Sequence, residues 1–218
     1  LCDTFVNDIF DSVLNDYSSS NLDTKEYHKI QLNKQLTLYG NSIAGKGTSF
    51  ILKGFNNLPY DILLDAGHDL GSNDRKIGII FITHSDADHT KCLPSHILNS
   101  NINPIIICPE SIKLKIDNYI QSAFNLFNNN KNNYKLIGLS INENTLIKIN
   151  KKQSLRIDTF KSFHGNKYCL SYGLSLQTLG IKDYYKDKDI KKIKNTELNI
   201  FENKIKPLII YATDTLIN

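Results

Sequence analysis

The chain has 218 residues, a net charge of +4, and 40% apolar and 22% charged residues, with 10 Phe and 11 Tyr. That is room for one large domain or two small ones, with enough apolar surface for a sizeable core, which excludes global disorder. No window reaches the roughly 18–20 consecutive apolar residues of a membrane-spanning helix, which excludes an integral membrane protein of that kind.

The basic balance suits an anionic substrate without naming one. Arg, the usual bidentate ligand for phosphate, occurs only at Arg75 and Arg156; the other bases are Lys. Four cysteines, Cys2, Cys92, Cys108 and Cys169, stand far apart with no CxxC pair. They read as reduced, mostly buried thiols. The opening LCDTFVNDIFDSV is acidic and amphipathic and lacks a secretory pattern, so the expectation is an intracellular, cytoplasmic protein.

In chain order, Phe5, Val6, Ile9, Phe10, Val13, Leu14 and Tyr17 fall at helical spacing. They predict an amphipathic helix within an N-terminal extension, residues 1–30, packed on its own domain. From residue 36 the pattern changes to short β-branched runs: LTLYG (36–40), TSFILKG (48–54), YDILLDAG (60–67) and IGIIFIT (77–83). NSIAGKGTS (41–49) lacks the spacing of a phosphate-binding loop and reads as a hairpin loop.

His89–Leu98 reads as a helix, PIIIC (104–108) as a strand and Glu110–Phe127 as a second helix before an Asn-rich loop. Strands follow at YKLIGL, LRIDTFKSF, CLSYGLSLQTL and IKPLIIYAT. The Lys-rich stretch 182–204 reads as part helix and part loop. Short turns between the early strands imply partly antiparallel pairing. The class is α/β or α+β, with mixed sheets flanked by helices.

The chemistry concentrates in IIFITHSDADHT, residues 79–90. An apolar strand runs directly into His84, Asp86, Asp88 and His89, at the carboxyl end where α/β sheets place their sites. Residues i and i+2 of an extended segment point the same way, so His84 and Asp86 converge on one ion. Asp88 and His89 open the next helix and face a second. Two carboxylates crowded beside two imidazoles need cations to offset their charge. Two more strand ends carry ligand-type residues: His164 after LRIDTFKSF, and Asp214 in LIIYATDT.

These segments resemble the metallo-β-lactamase superfamily over roughly residues 36–218. HSDADH resembles its HxHxDH signature. ILLDAG resembles its first acidic motif, with Asp65 in the structural position. DHTKCLP, HGNKYCLSYGL and YATDT resemble the corresponding segments of ribonuclease Z, the tRNA 3′-processing endonuclease. The class II cyclic-nucleotide phosphodiesterases share this motif order.

The resemblance implies an αββα sandwich and a metal-dependent phosphodiesterase with two divalent ions. His84, Asp86 and His164 would hold the first ion, Asp88 and His89 the second, and Asp214 would bridge them. Metal-bound hydroxide would attack the phosphodiester phosphorus. Asp88 and His68 would serve catalysis, His68 as proton donor to the leaving oxygen. Ser171, Tyr172 and Gly173 would approach the substrate phosphate. The implied partner is RNA, a precursor tRNA, or else a small phosphodiester such as a cyclic nucleotide; no membrane is implied, and related enzymes form homodimers. A non-catalytic metallo-β-lactamase-like subunit is the alternative outside enzymes.

Two departures from the family pattern bear on this. Asp86 stands where the signature has its second His, and a carboxylate there hardens the site toward Mn²⁺, Fe or Mg²⁺ relative to Zn²⁺. The family carries a further His beyond the bridging Asp, whereas this sequence ends at Asn218. That reads as a truncated domain, a degenerate copy or a single-metal copy. His28 and His96 read as residues with no part in catalysis.

Overall fold

The computed structural model describes residues 27–43, 45–70, 76–128, 134–164, 167–181 and 201–212. The N-terminal helix expected before residue 27, most of the Lys-rich stretch and Asp214 lie outside the described residues. Among the described residues, eleven strands build two sheets. The first has seven strands in sequence order: β1 (His28–Gln31), β2 (Thr37–Ile43), β3 (Gly47–Lys53), β4 (Asp61–Leu64), β5 (Ile77–Phe81), β6 (Ile105–Pro109) and β7 (Lys135–Leu139). Its β1–β4 half is antiparallel and its β4–β7 half parallel.

The reason for the division lies in the connections. Two-residue hairpins join only antiparallel neighbours, while parallel strands need a crossover. The Gly-containing turn at 45–46 closes β2 on β3, so the loop read at 41–49 is a hairpin whose flanks continue as strand. Between β5 and β6 run two short helices, α1 (Ala87–Thr90) and α2 (Leu93–Leu98); between β6 and β7 runs α3 (Lys113–Leu126). The single helix expected over 89–98 is thus two, broken at Lys91–Cys92. Pro94 stands in the first turn of α2, where a missing N–H costs nothing.

The second sheet is antiparallel, in the order β11-β10-β9-β8, from β8 (Asn144–Lys148), β9 (Gln153–His164), β10 (Lys167–Ile181) and β11 (Phe201–Tyr211). Residues 201–204 belong to β11, which corrects the helix-or-loop reading of that end of the Lys-rich stretch.

Strand β5 shows how the layers are held together. All five of its residues are buried, as expected for a strand covered on both faces. Ile80, and Ile82 just past the strand, face a core completed by Ile106, Leu93, Ile97, Ile116, Ile120 and Phe124 on the helix side. Ile79 and Phe81 face the second sheet, against Leu155, Ile157, Leu170, Tyr172 and Leu174. In α3, Ile116, Ile120 and Phe124 are the buried residues, one stripe at i, i+4 and i+8. The described residues therefore stack helices, a seven-stranded sheet and a four-stranded sheet. A fourth, helical layer beyond the four-stranded sheet is not among them.

A candidate metal centre between the two sheets

The site lies where the carboxyl ends of β4 and β5 meet the tip of the β9–β10 hairpin. Past Phe81 the chain continues extended through Ile82 and Thr83, and the amide of Leu170 in β10 donates to the carbonyl of Thr83 at 3.0 Å. Tyr172 reaches across from the same strand, its hydroxyl donating to the carbonyl of Ile82 at 2.7 Å. These two bonds dock the second sheet onto the segment that carries the His84 cluster.

His84, Asp86 and His164 each offer one ligand atom, and these atoms all lie within 4.8 Å of one another. The Asp86 carboxylate stands 3.6 Å from Nε2 of His84 and 3.6 Å from Nε2 of His164. Asp86 is the residue before α1, with extended backbone angles, where an Asp side chain ordinarily caps the helix. It makes no such cap; its carboxylate is turned to the two imidazoles instead. Asp88 and His89 follow in α1, with the Asp88 carboxylate 3.9 Å from His89 Nε2. The His84 and His89 rings lie 4.1 Å apart, and those of His84 and His164 5.0 Å apart. His84 and His89 are buried, whereas the side chains of Asp86, Asp88 and His164 keep about a quarter to a third of their surface exposed. The centre is therefore closed on the imidazole side and open on the carboxylate side.

Asp65 sits directly beneath this group, fully buried. Its backbone has φ of 55°, a left-handed conformation that Asp and Asn tolerate better than other side chains. Among the described residues, four donors converge on its carboxylate. The amide of Thr83 reaches Oδ1 at 2.8 Å, and the hydroxyl of Thr83 reaches Oδ2 at 2.9 Å. Nδ1 of His89 lies 2.8 Å and the hydroxyl of Tyr211 2.9 Å from Oδ2.

A carboxylate only accepts, so His89 carries its proton on Nδ1 and presents the Nε2 lone pair on the Asp88 side. The Thr83 hydroxyl has one proton and spends it on Asp65. Its oxygen then accepts from His84 Nδ1 at 3.0 Å, which leaves the Nε2 lone pair of His84 facing Asp86 and His164. Imidazoles held by an N–H bond behind the ring, with a carboxylate beside the other nitrogen, are the donor chemistry of a divalent transition-metal site.

The loop approach is equally tight. Gly67 packs against the start of α1 so closely that a Cβ built on it would fall 1.6 Å from the carbonyl oxygen of Asp88. Backbone bonds from Ala66 to His89, and from Cys92 back to Ala66, fasten the two segments.

Other expectations fare differently. His68 is fixed through its backbone to Ser49 and His96, by bonds of 2.8 and 2.7 Å. Burial and the neighbouring Lys91 lower its imidazole pKa, against a hydrogen bond with Gly47 that raises it. That favours the neutral ring at neutral pH. Tyr172 and Gly173, expected near the substrate phosphate, stand in packed surroundings. Tyr172 is fully buried as an intersheet packing residue, and a Cβ on Gly173 would meet the Phe160 ring at 2.9 Å. Ser171 is buried in the same stretch. His96 is buried, with its Nε2 2.7 Å from the carbonyl oxygen of His68.

Thr83 and Tyr211 escaped the sequence reading. Their signals were position alone: Thr83 directly precedes His84, and Tyr211 stands three residues before Asp214.

No protein-family model and no curated protein matches the chain. Among solved structures, the chain is similar to Zn(2+)-bound PqqB from Methylobacterium extorquens, with 13% sequence identity and a TM-score of 0.38, over 60% of this chain and 49% of that one. The chain thus spans about half the length of that protein, and a likeness of this degree carries no argument about fold or activity.

Proposed function

We propose that the chain is a metal-dependent phosphodiester hydrolase of the metallo-β-lactamase fold, most like ribonuclease Z in its motifs, acting on the 3′ side of a precursor tRNA. The observation that carries this reading is the meeting of His84, Asp86 and His164, two of them from the loop after β5 and one from the tip of β9, within 4.8 Å. Ligand-type side chains from two segments far apart in the sequence have no packing reason to converge there. The order of Asp65, the His84–His89 cluster, His164 and Asp214 along the chain supports the family reading.

The donor set fits a divalent ion. Asp86 and Asp88 bring negative charge, and the two buried imidazoles bring lone pairs already aimed outward. An ion bound there supplies Lewis-acid stabilisation of a phosphoryl oxygen and a nucleophile at neutral pH. The chain does the rest. His84, Asp86 and His164 would form the first holding group and Asp88 and His89 the second; Asp214, outside the described residues, is the expected shared ligand. The exposed edges of Asp86, Asp88 and His164 leave the approach open to a phosphodiester carried on a large substrate. Asp86 in place of an imidazole favours Mn²⁺ or Fe over Zn²⁺.

The test is elemental analysis of protein purified without chelator, followed by hydrolysis assays on precursor tRNA and on cyclic nucleotides. Bound metal that is lost in His84→Ala, with metal-dependent cleavage of precursor tRNA, is the expected result. Turnover of cyclic nucleotides alone would move the substrate to a small phosphodiester. Absence of binding after incubation with Mn²⁺, Zn²⁺ and Fe²⁺ would overturn the proposal.

A further inference from the structure

The Asp65 carboxylate touches both halves of the centre, and it does so from beneath, out of reach of any substrate. It holds His89 directly. It holds His84 through the hydroxyl of Thr83. Its fourth donor, Tyr211, comes from the end of β11 in the other sheet. Each contact has a distinct consequence for the imidazoles.

From this geometry we infer that Thr83 and Tyr211 are positioning residues that act through Asp65, Thr83 for the His84 side of the centre and Tyr211 for both sides. The inference rests on the metal-site reading above.

The tautomers of the two imidazoles transmit the effect. An imidazole ligates through a nitrogen that bears no proton, so the proton must be kept on the other nitrogen. Asp65 does this for His89. For His84 the acceptor is the Thr83 oxygen, and it accepts only because its own proton goes to Asp65. Replacing Thr83 by Val keeps the β-branched shape but deletes this acceptor. His84 then loses the bond that fixes both its ring orientation and its tautomer, while His89 keeps its own. Thr83→Ser retains the hydroxyl and should retain the function.

Tyr211 acts differently. Its side chain reaches Asp65 from the second sheet. Its hydroxyl closes Oδ2, which already accepts from Thr83 and His89. Tyr211→Phe keeps the ring packed and frees that oxygen, so Asp65 gains room to turn away from either partner. A loss at both positions follows, together with a loosened join between β11 and the end of β4.

The experiment is titration of metal-free protein with Co²⁺, read by the visible d–d absorption and by calorimetry, on wild type, Thr83→Ser, Thr83→Val and Tyr211→Phe. Thermal unfolding in chelator checks that each variant is folded. Losing an outer-shell partner typically weakens metal binding by about 10–100-fold. Thr83→Val should show that loss for the equivalent held by His84, Asp86 and His164, with the other unchanged. Tyr211→Phe should show it for both, and Thr83→Ser for neither. Folded Thr83→Val and Tyr211→Phe proteins that bind Co²⁺ as tightly as wild type would overturn the inference and leave the proposed function standing. Wild type that binds no Co²⁺ would overturn the metal-site reading itself.

Discussion

Asp65→Asn isolates what the buried carboxylate does, because Asn keeps the size of the side chain and tolerates the left-handed backbone at φ of 55°. The change replaces one of two acceptor oxygens by an NH₂ donor. If the amide oxygen stays on the Thr83 amide, the NH₂ faces Thr83 Oγ1, His89 Nδ1 and the Tyr211 hydroxyl, all within 2.9 Å of the original Oδ2. The hydroxyls can reverse and accept. His89 can do so only by moving its proton to Nε2, which removes the lone pair facing Asp88.

Hydrogen bonds to a charged group contribute about 1.5–3 kcal/mol each, and three of the four are lost or reversed; the two hydroxyls recover neutral bonds of about 0.5–1.5 kcal/mol each by reversing, which leaves a loss of about 3–6 kcal/mol. The lower desolvation cost of a neutral amide offsets part of this, so a net destabilisation of about 2–4 kcal/mol is expected. Urea unfolding in chelator measures it, and Co²⁺ titration should show the equivalent held by Asp88 and His89 weakened. An Asp65→Asn protein within about 0.5 kcal/mol of wild type, the range of a surface substitution, and binding metal unchanged, would refute the assignment of both tautomers.

Three further outcomes are expected. Phe124→Ala, at a buried site in the stripe of α3, should cost about 3–5 kcal/mol in urea unfolding without altering metal stoichiometry; a cost below about 1 kcal/mol would mean that α3 does not close the helix-side core. Gly67→Ala would put a Cβ 1.6 Å from the Asp88 carbonyl, so α1 must shift; weaker metal binding and a destabilisation of about 1–3 kcal/mol should follow, and unchanged metal binding would show that the loop has slack. His68 has a folded pKa below its usual 6.5, so the unfolded chain binds more protons there and the stability it contributes is present above that value and lost as pH falls through the folded pKa. In chelator, His68→Asn should therefore lose less stability than wild type between pH 7 and pH 5, and parallel profiles would show that the shift is absent.

Much of the fold was legible because its signals are local. The apolar runs at 47–53, 61–64, 77–81 and 105–109 are strands in the structure, as their β-branched composition indicates. The two strands that were missed, β1 and β8, have exposed residues alternating with half-buried ones and carry charge, so no apolar run announces them. The break between α1 and α2 was invisible for a related reason. It is fixed by backbone bonds from Ala66 to His89 and from Cys92 to Ala66, which are tertiary contacts.

By itself, the sequence pointed to metal-ligand chemistry, since it places four ligand-type residues within six positions at a strand end. It also determined where along the chain His164 would be offered. Only the tertiary structure decided which nitrogen of each imidazole faces outward. That choice depends on a buried carboxylate 18 residues before Thr83 and on a tyrosine hydroxyl 146 residues beyond Asp65. It likewise decided that Tyr172 is core: strand alternation predicts that a residue faces one side, but only the docked second sheet makes that side the interior.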